Sequence, residues 1–245
     1  PFLRDIAARL KEIADRNSLR WVFKASYDKA NRTSVQSFRG LGCAEGCALL
    51  ADVGAGLGVP VTTDVHSPEE AEKAAEHIDL LQIPAFLSRQ TDLILTAGRT
   101  GRAVNVKKGQ FMAPWDVQNI ADKLRSVGCE NYFFTERGTT FGYQNLVADM
   151  RSLYWIRELG HRMVFDATHS VQRPGGQGTS TGGDGILAPV LARAAVAAGC
   201  DGVFIETHPN PAEAFSDGPN QIPLDKLEAH LRQLSQIHHV VHEAS

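Results

Sequence analysis

Short apolar runs recur along the chain, and each stops at a charged or amide side chain. Trp21-Val22-Phe23 runs into Lys24, and Val59 to Thr63 into Asp64 and His66. Leu80-Leu81 leads to Gln82, while Val104 and Val106 flank Asn105 ahead of Lys107. Tyr132-Phe133-Phe134 leads towards Glu136 and Arg137, Met163-Val164-Phe165 to Asp166 and His169, and Val203-Phe204-Ile205 to Glu206 and His208. Runs this short, rich in β-branched and aromatic residues, predict buried strands of a parallel sheet. Between them the period changes to that of a helix. Phe2, Ile6, Leu10 and Ile13 draw one apolar face, and Leu224, Leu227, Leu231, Leu234 and Ile237 another. Ser67-Pro68-Glu69-Glu70 reads as an N-cap, a first-turn proline and acids on the positive end of a helix. Pro114 opens a further helix, predicted to run through Leu124.

Strands alternating with helices imply a parallel sheet. The position of the polar residues chooses between its two common forms. A doubly wound sheet gathers its ligands at one switch point. Here each of the seven runs ends in polar chemistry, and a closed barrel lets all strand ends face one pocket. The sequence therefore predicts an α/β fold, a TIM (β/α)8 barrel formed by residues 1–245 as a single domain. Seven runs are one short of eight, and the chain opens with a helix. The first strand is expected to be missing from this sequence, because a barrel lacking a stave would expose two sheet edges.

Composition narrows the function classes. A chain of 245 residues matches the roughly 250 of one barrel and can bury about 70% of its surface without disulfides or a structural metal. Its net charge of −3 argues against a general nucleic-acid binder, which would be basic. No apolar stretch is long enough for a membrane span, and no secretory leader is visible. Cys43, Cys47, Cys129 and Cys200 form no CxxC pair. They read as structural thiols of a protein in the reducing cytoplasm.

Against that mild negative charge, cations are enriched at the strand ends. Lys24, Lys29 and Arg32 lie in Phe23-Lys24-Ala25-Ser26-Tyr27-Asp28-Lys29-Ala30-Asn31-Arg32-Thr33-Ser34. Lys107, Lys108 and Arg137 follow other strands, and Arg89 follows Pro84-Ala85-Phe86-Leu87-Ser88. Each alone could be a solvated surface charge. Up to seven around one mouth imply a small substrate with two or more anionic groups. His169, Glu206 and Asp217 offer one imidazole and two carboxylates, a set able to hold a divalent transition metal or simply to form a polar network. Pro174 to Gly183 is glycine-rich and sits where barrels bind phosphate or hang a lid.

The chain resembles the 3-deoxy-D-manno-octulosonate 8-phosphate synthase family. The likeness rests on Lys29-Ala30-Asn31-Arg32, Thr63-Asp64-Val65-His66, Ile83-Pro84-Ala85-Phe86, Arg89-Gln90-Thr91-Asp92, Asn105-Val106-Lys107-Lys108, Glu136-Arg137-Gly138, Phe141-Gly142-Tyr143 and Glu206-Thr207-His208-Pro209. The resemblance implies a transferase of lipopolysaccharide sugar synthesis that condenses phosphoenolpyruvate with arabinose 5-phosphate and water. It assigns Lys24, Lys29, Lys107 and Arg137 to phosphoenolpyruvate. Asn31, Arg32 and Ser34 fall to the pentose phosphate, with Arg89 reaching in from a neighbouring subunit of a homotetramer. Asp64, His66 and Gln82 join the substrate site. Lys29, His169 and Asp217 are the implied catalytic groups, and His169, Glu206 and Asp217 the implied ligands of a divalent metal such as zinc, iron or manganese. The family's first strand carries Gly-Pro-Cys or an asparagine variant, and that cysteine is the fourth ligand of metal-dependent members. Asp166-Ala167-Thr168-His169-Ser170 with the following Pro-Gly-Gly, and Ser216 before Asp217, resemble the metal-dependent group. Gly183-Asp184-Gly185 departs from the family's usual Gly-Gly-x-Arg-Glu.

Three other readings compete. The sister 3-deoxy-arabino-heptulosonate 7-phosphate synthase would use erythrose 4-phosphate, but it typically has Lys-Pro-Arg-Thr at Lys29-Ala30-Asn31-Arg32. A Schiff-base aldolase would use Lys107 or Lys24, although neighbouring cations are surplus to that chemistry. A barrel without its first strand could bind phosphosugars without turnover.

Overall fold

A computed structural model describes residues 2–31, 36, 38–175 and 182–243. They fall into two compact units, Pro1–Lys107 with Gln118–Tyr132, and Lys108–Val117 with Phe133–Ser245.

The first unit opens with helix α1 (Phe2–Arg16). Strands β1 (Phe23–Lys24), β2 (Val61–Asp64), β3 (Leu80–Ile83) and β4 (Ala103–Lys107) then pair in parallel, in that order. Helices α2 (Cys43–Leu57), α3 (Pro68–Ala75) and α4 (Thr91–Arg99) connect them, and α5 (Val117–Ser126) follows β4. All four residues of β3 are buried, as expected of a parallel strand covered on both faces. Leu81, Ile83, Val104 and Val106 on the strands and Ala71, Ala74, Ile94 and Ala97 on the helices are wholly buried. Pairing sets Asp64 opposite Gln82 and Gln82 opposite Asn105, so polar side chains of three strands share one level.

In the second unit, β5 (Tyr132–Glu136) leads into a small hairpin of β6 (Thr139–Thr140) and β7 (Leu146–Val147). Helix α6 (Arg151–Glu158) and strand β8 (Met163–Asp166) follow. A second antiparallel pair, β9 (Gln172–Arg173) and β10 (Gly182–Gly183), precedes α7 (Ala188–Ala197) and β11 (Gly202–Phe204). Strands β12 (Thr207–His208) and β13 (Ile222–Pro223) pair before the long helix α8 (Leu224–Glu243). Parallel pairing puts β8 between β5 and β11, with Phe204 opposite Asp166. Phe134, Met163, Phe165, Leu153 and Ile156 are wholly or almost wholly buried.

All seven predicted strands are present, and their parallel strand–helix repetition is the α/β class of TIM-type barrels. The elements differ from the sequence pattern in local ways. The helix at Pro114 begins as a 3-10 turn, Pro114–Asp116, because Asp116 Oδ2 accepts the Ala113 amide and tightens the entry. In α1 the buried line is Ala7, Ile13 and Ala14, whereas Phe2 is exposed and Ile6 and Leu10 are half-buried. Ser67 does cap α3, accepting the Glu70 amide at 3.2 Å.

Candidate active site

In the first unit, the predicted residues converge on one carboxylate. Lys24 Nζ lies 3.0 Å from Asp64 Oδ2 and also donates to Ser26 Oγ at 2.9 Å. Ser26 Oγ in turn donates to Asp64 Oδ2 at 3.1 Å. The other carboxylate oxygen, Oδ1, accepts from Gln82 Nε2 at 2.6 Å, and Gln82 Oε1 accepts from Asn105 Nδ2 at 2.9 Å. The strand register explains this ladder, since the three residues stand opposite one another. Burial by itself would raise the Asp64 pKa; Lys24, Lys107, the Gln82 hydrogen bond and Lys29 together hold it far below the ordinary carboxylate range. Three ammonium groups thus bear on a single carboxylate, and the surplus positive charge suits an anion.

Asp64 and His66 lie two residues apart along an extended segment, which places them on one face. His66 is itself fixed. Glu70 Oε2 takes its amide and its Nδ1, each at 3.0 Å, and Tyr27 Oη donates to the same oxygen at 2.8 Å. The Tyr27 ring packs edge-on to the imidazole with centroids 5.6 Å apart. Burial first, then the hydrogen bond and charge of Glu70, push the Tyr27 hydroxyl well above its ordinary pKa, so it stays a donor. Asn31 and Arg89 are exposed. Arg32 and Ser34 lie outside the described residues, as do 176–181 of the glycine-rich run.

In the second unit, Lys108 corrects the sequence reading of a pocket cation. Its side chain is wholly buried, 3.4 Å from Glu136 Oε2, and its ammonium donates to the carbonyls of Gly109 and Met112 and to Thr139 Oγ1. Glu136 also accepts from the Gly138 amide and Ser152 Oγ. Lys108 therefore ties together the turns after β4 and β5 and offers no charge to a substrate. Arg137 does fit an anion. It is buried, its Nη2 donates to Gln172 Oε1 at 2.5 Å, and its Nη1 has no hydrogen-bond partner among the described residues. Desolvation lowers its pKa, opposed by Asp166, Glu136 and Asp217, and a guanidinium remains charged regardless. A buried N–H without an acceptor is costly unless a ligand supplies one.

His169, Glu206 and Asp217 each bring a ligand atom to within 4.8 Å of the others. His169 follows β8 in a turn held by Asp166, whose Oδ1 accepts the His169 amide at 2.9 Å. Imidazole Nδ1 lies 2.8 Å from Asp166 Oδ2, in ion-pair range but out of line for a hydrogen bond. Nε2 faces Glu206 Oε1 at 3.7 Å. Glu206 is placed by its amide, which donates to Thr168 Oγ1 at 3.1 Å. Asp217 holds a left-handed backbone with φ 55°, a conformation that Asp adopts more readily than most residues. Gln172 Nε2 donates to its Oδ1 at 2.7 Å, a bond in which Oδ2 takes no part. One imidazole and two carboxylates backed by Asp166 suit a divalent transition metal.

The departure at Gly183-Asp184-Gly185 also has a local cause. A Cβ at Gly183 would overlap the side-chain amide of the buried Asn220, and one at Gly185 would strike the Pro219 carbonyl. This close approach holds β10 against the turn that carries Asp217. Sequence reading did not single out Asp166, Gln172, Glu70 and Asn105 as site residues. Asp166 and Asn105 carried the strand-end signal, while Gln172 and Glu70 lie on turns whose contacts no periodicity reveals. The cysteines are free, as read. Burial pushes the Cys47 and Cys200 thiols up to about 12, which makes them poor nucleophiles.

No helix among the described residues is long and apolar enough to cross a membrane. A family model described as the DAHP synthetase I family matches residues 2–243. The chain is 57% identical over 231 residues to a Granulibacter bethesdensis protein named 2-dehydro-3-deoxyphosphooctonate aldolase, covering 94% of this chain and 82% of that one. A Geobacter sulfurreducens protein of the same name is 57% identical over 235 residues, covering 96% and 86%. One from Cyanothece sp. is 54% identical over 236 residues, again covering 96% and 86%. A strand-end cation cluster, an imidazole–carboxylate cluster and a match running almost the whole length place the chain in the DAHP synthetase I family.

Proposed function

We propose that the chain joins phosphoenolpyruvate to arabinose 5-phosphate, with water, to give 3-deoxy-D-manno-octulosonate 8-phosphate and inorganic phosphate. The observation that carries this reading is the gathering of ammonium groups around Asp64, combined with relatives named 2-dehydro-3-deoxyphosphooctonate aldolase. Those names favour the eight-carbon product over the seven-carbon one. Phosphoenolpyruvate carries a carboxylate and a phosphate, and Lys24, Lys29 and Lys107 match them; Arg137 joins this set by resemblance. Asn31, Arg32 and Ser34 serve the pentose phosphate, and Arg89, exposed in the single chain, serves it from a neighbouring subunit of a cytoplasmic homotetramer.

In the reaction, C3 of phosphoenolpyruvate bonds to the aldehyde carbon, and the aldehyde oxygen becomes an alkoxide. Lys29 gives that oxygen a proton, and the imidazole of His169 helps to stabilise its charge. C2 turns cationic and takes up water, whose proton Asp217 accepts. Cleavage of the bond between C2 and the phosphate oxygen then expels phosphate, which takes up the proton of the new C2 hydroxyl as the ketone forms. A divalent metal held by His169, Glu206 and Asp217 would supply charge stabilisation at the aldehyde oxygen. Gln82 and Asn105 hold Asp64 in place, and Asp64 spaces the lysines.

Phosphate release from phosphoenolpyruvate tests the reading, with arabinose 5-phosphate and erythrose 4-phosphate as rival acceptors. Turnover is expected with the pentose alone. Preference for the tetrose would overturn it. Borohydride trapping of a substrate on a lysine would favour the Schiff-base reading instead.

A further inference from the structure

Gln172 has no role in the reaction above, yet its side chain joins two groups that do. Its Oε1 accepts from Arg137 Nη2 at 2.5 Å, and its Nε2 donates to Asp217 Oδ1 at 2.7 Å. The amide cannot be turned round, because a guanidinium only donates and a carboxylate only accepts. Its backbone is anchored as well. Gln172 stands opposite Gly183 in the β9–β10 pair, and the Asp184 amide donates to the Val171 carbonyl at 3.0 Å. Gly183 lies so near Asn220, three residues beyond Asp217, that a Cβ there would overlap the Asn220 side chain. Arg137 and Asp217 are thus both held by one short, paired segment.

Resting on the function proposed above, we infer that Gln172 is a positioning residue with two simultaneous effects. It takes one N–H of Arg137 Nη2 and fixes the guanidinium plane, so that Nη1, which has no partner among the described residues, is turned to an anionic substrate. It also occupies Oδ1 of Asp217, so that Oδ2 is the oxygen left for a divalent cation. Anion site and cation site share this one amide, and a single substitution disturbs both. A side chain that merely filled space would affect neither binding constant selectively.

Gln172→Met keeps length and bulk while deleting both hydrogen bonds. Gln172→Asn keeps the amide but is too short to span the two partners. Two affinities are measured on full-length protein stripped of metal, neither requiring turnover. Mn2+ binding is read from the paramagnetic resonance of free Mn2+ without substrate, and phosphoenolpyruvate binding by calorimetry without metal. Each is expected to fall roughly tenfold in both variants, the effect typical of losing a partner behind a ligand, with melting temperatures close to wild type. If Gln172→Met fails to fold, Gln172→Asn carries the same two readings. Either affinity staying within about twofold of wild type in a folded variant overturns the inference. A wild-type protein that binds phosphoenolpyruvate but no Mn2+ overturns the metal reading, and the Asp217 half of this one with it. A wild-type protein that binds both while the variants match it overturns this inference alone.

Discussion

The cluster at the end of β2 and the cluster after β8 use the same kinds of side chain and carry opposite charge. Around Asp64, three lysines outnumber one carboxylate, and Lys24, Ser26 and Gln82 all turn donors to it. Around His169, the carboxylates of Asp166, Glu206 and Asp217 outnumber the single guanidinium of Arg137. The first arrangement is prepared for an anion and the second for a cation. What decides the difference is position in the register. Asp64 stands opposite Gln82, whose amide donates to Oδ1, while Ser26 and Lys24 take Oδ2. Asp166 stands opposite Phe204, and its oxygens turn instead to its own chain at Thr168 and His169. One cluster is closed by neighbouring strands, the other by local turns.

Lys29→Ala is the sharpest way to break the first half of that contrast. If Lys29 is the proton donor, turnover falls about 10²–10⁴-fold, more than its contribution to phosphoenolpyruvate binding. Turnover near wild type would leave Lys29 as one cation among several. Lys108→Met tests whether the adjacent lysine belongs to structure alone. Removing it strands the buried Glu136 carboxylate, at about 3–5 kcal/mol of stability, read by denaturant unfolding. Glu136→Gln in the same protein should recover part of that loss. A stable Lys108→Met variant with a raised KM for phosphoenolpyruvate would return Lys108 to the pocket.

His169→Ala addresses the second cluster. Mn2+ affinity should drop on the order of 100-fold, while phosphoenolpyruvate still binds the lysines. Chelated wild-type enzyme should lose turnover and regain it with Mn2+; full activity after chelation would reduce the acidic cluster to a polar network. A pH series on folding stability separates the two clusters again. The Asp64 pKa is depressed in the folded chain, so its contribution is complete above the unfolded value of about 3.9 and shrinks as pH falls below it. Wild type should therefore exceed Asp64→Asn in stability at pH 6 by on the order of 2 kcal/mol. That gap should narrow by pH 3; a constant gap would mean the lysines do not set the charge of Asp64.

Much of the strand framework was legible because it depends on a local signal, an apolar run that ends in a polar residue. The same signal led to Lys24, Asp64, Gln82, Lys107, Arg137, His169 and Glu206. Lys108 shows where it runs out. Neighbours along a strand point to opposite faces, so Lys107 and Lys108 could not both serve one pocket. Glu136 and Thr139 receive the Lys108 ammonium, a pairing that no local pattern specifies. Gln172 and Glu70 were out of reach for a different reason. Each acts on a residue whose distance depends on a turn, and turns carry little pattern beyond their glycines and prolines. Ser67 is the exception, a turn residue whose role its neighbours announced.

That exception supplies the smallest of the expected effects and a way to sharpen the contrast. Ser67 Oγ accepts the Glu70 amide, and Glu70 reaches back to the His66 amide and Nδ1 and to Tyr27. Ser67→Ala removes one cap, worth about 1 kcal/mol of stability, measured by the denaturation midpoint. If the lysine cluster is closed by strand pairing, losing a helix cap beside it should leave the affinity for phosphoenolpyruvate unchanged. The backbone of β2 and β3 still sets Asp64 opposite Gln82, and Glu70 keeps its hold on His66 through its own carboxylate. A fall in affinity out of proportion to the lost stability would show that this cluster, like the one around His169, depends on its turn.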